Sequence, residues 1–204
     1  VGSKRTLIVY IVFAGIVAAC SLYLRFPAKE VGIYLDRVIQ ETQADLSFAA
    51  KGIKPRFPLR LKFIDSELHS KEVKFPLFRA EELIAGPRIA SLLQGEKIIC
   101  FSGKAYNGDF SGTFQAAKES NAIREAAVTA AAIDLSEVRY LSALLQRKVS
   151  GILTGEAALK SEASLLDGDG NIALQIADGR AELVQPLFGM DAVVFNTVTV
   201  AAQL

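Results

Sequence analysis

Residues that carry chemistry are scarce in this chain. Among 204 residues there is one histidine, two cysteines and no tryptophan. A histidine triad, a His-based metal site or most zinc chemistry would have to be built on the lone imidazole of His69, whose setting Glu67-Leu68-His69-Ser70 reads as ordinary surface. Neither a dinucleotide-binding glycine fingerprint nor a P-loop follows any strand pattern, so no backbone cradle for phosphate is present. Carboxylate pairs such as Glu81-Glu82, or Glu30 with Asp36, have no catalytic context. No enzyme, cofactor or metal is expected.

An excess of one charge is also missing. Lys and Arg total 23 against 22 for Asp and Glu, a net charge of +1, which argues against a nucleic-acid partner because release of phosphate counterions needs a basic face. The charges are scattered, so no polybasic lipid-binding arm stands out. Cys20 lies inside an apolar run and Cys100 sits between Ile99 and Phe101; a membrane-embedded thiol and a strand thiol do not meet, and no disulfide is expected. Without a CxxC partner, Cys100 reads as a buried structural thiol.

Asp167-Gly168-Asp169-Gly170-Asn171 suggests a calcium loop, since Asp167, Asp169, Asn171 and Asp178 fall at the first, third, fifth and twelfth positions. The required sixth-position glycine is Ile172, the terminal ligand is Asp instead of Glu, and the flanks read as strands. A β-turn is the better account.

What is present begins with Thr6 to Leu24, uncharged throughout and bracketed by Lys4-Arg5 and Arg25. As a helix this stretch is about 28 Å long, close to the ~30 Å hydrocarbon core of a bilayer. Three fates fit it: a permanent transmembrane helix, which is the first choice; a lipoprotein signal ending at Val17-Ala18-Ala19-Cys20, against which Ser21-Leu22-Tyr23-Leu24 stays apolar; and a cleaved signal peptide. The division expected is 1–25 as a cytoplasmic start and membrane helix and 26–204 as a periplasmic β-rich domain.

Pro27 suits the opening of a second helix. From Ala28 to about Thr42, Val31, Ile33, Tyr34, Leu35, Val38 and Ile39 recur at helical spacing, so this helix packs on its own domain or lies at the bilayer surface. The period then changes to two: Leu59, Leu61 and Phe63 alternate with Arg60 and Lys62. Val73–Leu77, Glu81–Ala85, Ile89–Leu93 and Lys97–Phe101 follow as short segments typical of an antiparallel meander, Leu92-Leu93 being open to a helical turn. The alanine-rich 124–133 is read as a strand ending in Ile133-Asp134-Leu135, after which Ser136 caps a helix carrying Val138, Leu141, Leu144 and Leu145. Sheet character returns from Val149, and Asp191–Ala202 is a last strand, with the sheet to be completed by further sequence or another chain.

An internal echo pairs Asn107-Gly108-Asp109-Phe110-Ser111-Gly112-Thr113-Phe114 with Ser150-Gly151-Ile152-Leu153-Thr154-Gly155-Glu156-Ala157. Both read as strands whose paired glycines permit bulges or bends, and two such strands curve a sheet. The fold class expected is mainly β with few helices: the membrane helix, a short amphipathic helix, then a curved antiparallel sheet, half-barrel or taco-like, with one further helix.

Phe26-Pro27-Ala28 opening a helix after the apolar run, Phe57-Pro58-Leu59-Arg60-Leu61 opening the sheet, and Ile133-Asp134-Leu135 followed by a helix and Val149-Ser150-Gly151-Ile152-Leu153-Thr154-Gly155 together resemble the type II secretion system protein N (GspN) family. The glycine-bearing strand units are similar to those of AsmA-like proteins. The resemblance implies a single-pass inner-membrane protein with a periplasmic β domain, an accessory or assembly component whose partners are other inner-membrane subunits of the secretion system. The AsmA likeness implies an alternative, a lipid-binding or lipid-transfer module with an apolar groove lined by Leu59, Leu61, Phe63, Leu153 and Leu159. The plainer expectation for those side chains is a closed core beneath the helices.

Overall fold

The computed structural model of the protein describes residues 2–42, 44–71, 73–117, 123–161, 169–187 and 190–203. The chain is mainly β, a single open antiparallel sheet of nine strands accompanied by four helices. Helix α1 (Gly2–Leu24) and helix α2 (Ala28–Thr42) are separated by Phe26-Pro27. Proline lacks an N–H to continue α1. Its carbonyl instead accepts the Val31 N–H at 3.1 Å and starts α2, as the sequence suggests. Among the described residues no helix is long and apolar enough to cross a membrane. The side chains at positions 2–5, 16, 18–20 and 22 of α1, Cys20 with them, lie outside the described residues.

The strands follow one another in space as they do in sequence: β1 (Leu46–Arg56), β2 (Arg60–Ser70), β3 (Phe78–Pro87), β4 (Lys97–Ala105), β5 (Gly108–Ala116), β6 (Ile123–Asp134), β7 (Val149–Lys160), β8 (Asp169–Leu187) and β9 (Met190–Gln203). Tight turns make this order easy to reach. Between β4 and β5 only Tyr106 (φ 51) and Asn107 (φ 63) intervene, both left-handed, the two-residue turn that matches strand twist. Helix α3 (Ile89–Leu93) lies between β3 and β4, and helix α4 (Arg139–Leu145) between β6 and β7, preceded by a 3-10 turn at Leu135–Glu137.

Several expectations are corrected. Strand β1 has no counterpart in the sequence reading, because its apolar positions Leu46, Phe48, Ala50 and Ile53 break step around Lys51-Gly52. Val73–Leu77 is a connection, and Ile89–Leu93 is helical, so there are two helices beyond α2 where one was expected. Ser136 does not cap a helix; the Asp134 carboxylate accepts its N–H at 2.9 Å and its hydroxyl at 2.6 Å, and α4 begins only at Arg139. Cys100 is free and half-exposed, not buried. The alanine-rich segment is a strand, β6, as expected.

The two edges of the sheet differ. Along β1, α2 packs close enough that a side chain at Gly32 would lie 3.3 Å from Ile53 Cδ1. Asp36 of α2 accepts the Phe48 backbone N–H at 2.9 Å, and β1 also carries Lys51, Lys54, Pro55 and Arg56. Nothing among the described residues pairs with the outer edge of β9, and from Ala192 to Gln203 that strand has no charge and no proline.

Candidate functional site

Antiparallel register places opposed residues on one face. Reading across the sheet from β1 to β9, Ile53, Phe63, Leu83, Gly103, Phe110, Ala130, Gly155, Leu174 and Val200 stand opposite one another. The next row on this face runs Leu61, Ala85, Phe101, Gly112, Val128, Ala157, Ile172, Ala202. Neither row contains a polar side chain. The other face is mixed, one row running Lys62, Ile84, Ser102, Ser111, Thr129, Glu156, Ala173 and Ala201. Lys62 there pairs with Glu82 at 2.6 Å.

Aromatic rings pave part of the apolar face. Phe101 stacks on Phe114 at 4.8 Å between centroids, and Phe78 meets Phe110 edge-on at 5.3 Å. Gly103 and Gly112 make this possible: a Cβ on Gly103 would lie 2.9 Å from Phe110 Cζ, and one on Gly112 would lie 2.4 Å from Phe101 Cζ. The tip of each ring therefore reaches over the glycine opposite it in register. Of the echoed glycines, Gly151 (φ 142) does sit where register shifts, between Ser150 and Ile152. Gly112 is in regular pairing, Gly155 pairs with Ala130 where the β6–β7 register begins to shift, and the two receive neighbouring side chains, Phe101 and Leu174.

This face is not a closed core. The buried apolar side chains among the described residues are Ile53, Phe63, Ala80, Ala105, Ala126, Ile133 and Leu135. Val128 remains 36% exposed, Val200 47% and Ile99 49%. The chain exposes 14558 Å², against about 9,300 Å² for a compact monomer of 22.0 kDa. Part of the excess belongs to α1, where Leu7, Ile8, Val9, Tyr10 and Ile11 are exposed, and part to the uncovered face.

Of the five residues expected to line a groove, Leu61, Phe63, Leu153 and Leu159 share the apolar face; Leu153 pairs with Ile133 and Ile176, and Leu159 with Ala126. Phe63 is buried in it. Leu59 stands apart, in the β1–β2 turn after the cis Phe57-Pro58 bond, with φ 50 and 70% exposure. The sequence reading missed Phe101, Phe110, Val128, Leu174 and Val200. Their alternation was visible, but only register shows that they share a face with Leu61.

At the strand ends nearest α4 there is a cavity of about 680 Å³ lined by Phe75 of the β2–β3 connection, Arg139 and Ala143 of α4, Lys148, and Ser150 and Arg180 of β7 and β8, among others. Strands β3 and β8 are five places apart, a separation of about 24 Å in a flat sheet. The connection before β3 and Arg180 of β8 nevertheless border a single cavity.

His69 is half-exposed and its Nε2 lies 3.0 Å from Glu67 Oε2. Burial pushes the Tyr106 phenol up, against the Arg79 N–H that donates to its oxygen at 2.9 Å. The Ser136 hydroxyl, with its N–H, holds the Asp134 carboxyl below the usual range. No group of three His, Cys, Asp or Glu residues that could hold a metal occurs among the described residues. Asp167 and Gly168 of the calcium-like sequence lie outside them; Asp169 and Asn171 are in strand β8, paired with Lys160 and Ala158.

Comparison with protein-family models gives no match, nor does comparison with curated proteins or with solved structures.

Proposed function

We propose that the open sheet is a lipid-holding module kept at a membrane, its uncovered apolar face taking the acyl chain of an amphiphile. The observation that carries this reading is the apolar row running without interruption from Ile53 to Val200 across nine strands, with Val128 and Val200 still open to solvent. The sheet is curved in this reading, a half-barrel or taco. The cavity shared by Phe75 and Arg180 supports that curvature, as do the register shifts at Gln115/Ala116, Ala130/Ile133 and Ser150/Ile152. The uncharged stretch Thr6–Leu24 serves as a permanent single-pass anchor, amino terminus in the cytoplasm and sheet in the periplasm. Exposed Ile33 and Tyr34 of α2 then sit next to the bilayer.

The test is native mass spectrometry of the full chain extracted in mild detergent. A phospholipid adduct is expected, lost in Ile172→Glu on the apolar face and kept in Thr129→Glu on the other face. A ligand-free wild type, or equal loss in both variants, overturns the reading.

A second reading is favoured by the outer edge of β9. A long, uncharged, unprotected edge invites a strand from another protein, which suits an accessory component of the type II secretion system acting through protein contacts, as the GspN resemblance implies. Crosslinked pull-down of the intact protein should then recover other inner-membrane subunits of that machine, and recovery of none removes this reading.

A further inference from the structure

The cavity beside α4 differs in chemistry from the apolar face. Arg139, Lys148 and Arg180 line it against a single carboxylate, Glu182, while Ser136, Ser142 and Ser150 add hydroxyls and Phe75, Ala143 and Val149 supply an apolar wall. The ion pairs among the described residues are Lys51–Asp65, Lys62–Glu82, His69–Glu67 and Arg79–Glu67. None involves the three cations of the cavity. Arg139 also borders a smaller neighbouring cavity of about 310 Å³ with Glu67, Glu81 and Glu137, and pairs with none of them. Three cations that line one cavity, with no ion-pair partner among the described residues, make it electropositive. The arrangement becomes favourable once an anion enters.

Size and position narrow the ligand. A volume of about 680 Å³ falls within the roughly 300–1,000 Å³ typical of small-ligand sites. Val149 and Ser150 of its wall precede Leu153 of the apolar face on the same strand, about 10–13 Å along β7 at ~3.3 Å per residue. We propose that this cavity is an anion site that receives the phosphate or carboxylate headgroup of an amphiphile whose chain lies on the apolar face. The proposal rests on the lipid-holding reading and adds the polarity of the ligand and the end of the sheet at which its headgroup sits. Guanidinium groups and hydroxyls suit such oxyanions, the former through paired N–H donors.

The experiment compares oleate, methyl oleate and inorganic phosphate as probes of the full chain in neutral detergent. The proteins are wild type, the Lys148→Gln/Arg180→Gln double variant and Arg139→Gln. All three cations are exposed, and thermal unfolding confirms that each variant is folded. Oleate should bind wild type about tenfold more tightly than methyl oleate, the effect of one charge-assisted contact. In the double variant that preference should vanish with methyl oleate affinity unchanged, and in Arg139→Gln it should be reduced. Equal binding of acid and ester to wild type, or a preference that survives the double variant, overturns the headgroup site and leaves the lipid-holding reading standing. Failure of both chains to bind removes that underlying reading. Phosphate binding that is lost in the double variant, without any preference for oleate over its ester, identifies a free-anion site and also overturns the proposal.

Discussion

Gly112 and Gly52 both sit in strands, and the same substitution should have opposite effects at the two. A Cβ on Gly112 would lie 2.3 Å from the Ala127 carbonyl and 2.4 Å from the Phe101 ring, whereas one on Gly52 meets nothing nearer than Ile64 Cδ1 at 3.7 Å. Gly112→Ala is expected to cost about 1–3 kcal/mol through overpacking; Gly52→Ala should be neutral or stabilise by about 0.4–1 kcal/mol by restricting the unfolded chain. Urea unfolding of the two variants beside wild type checks both. Asp134 gives a pH-dependent case. Its folded carboxyl is held low by Ser136, so its contribution is complete above the ordinary aspartate value and is lost as pH falls through the lowered one. Asp134→Ala should cost about 1 kcal/mol at neutral pH, and the gap from wild type should close on acidification; a constant gap would contradict the Ser136 contacts as its source. That role was only half legible in the sequence, where Ser136, Asp134 and Glu137 all look like capping residues. What decides between them is where the turn begins: Asp134 is extended and the 3-10 turn starts at Leu135, so the Asp134 carboxylate is the one placed to accept the Ser136 N–H.

Sequence pattern gives the strands best where polar and apolar residues alternate cleanly, as at Leu61–Phe63 and Ile172–Ile176, and gives α2 with its observed bounds. It fails at β1, where the spacing of apolar residues changes from two to three between Ala50 and Ile53. The partner strand has its own irregularity there, Asp65 at φ 47. Pattern also cannot say which strands share a face with which, and so the candidate surface was seen as five leucines and phenylalanines instead of complete rows. At β1 the element-scale prediction concerns α2. Asp36→Ala removes the acceptor from the Phe48 N–H, at a cost of about 1–3 kcal/mol for a bond to a charged group. Amide exchange at Phe48 should speed up while exchange in β5 and β6 stays unchanged. Equal acceleration throughout the sheet would mean global unfolding and not loss of an edge contact.

For the molecule as a whole, the two edges of the sheet have a consequence for stoichiometry. With α2 beside β1, the described residues leave a single edge valence, the outer side of β9. Two copies that meet there spend both valences on each other, so association through sheet edges terminates at a pair. Sedimentation of the detergent-solubilised protein at rising concentration should show no edge-mediated species beyond twice the 22.0 kDa chain mass, and an open-ended ladder would refute this. Val198→Lys on β9 should abolish the pair. Asp36→Ala removes the Phe48 contact but leaves Lys51, Lys54, Pro55 and Arg56 on β1, so association should still stop at a pair. Helix α2 and those side chains together do for assembly what a terminator does for a polymer: they set the count.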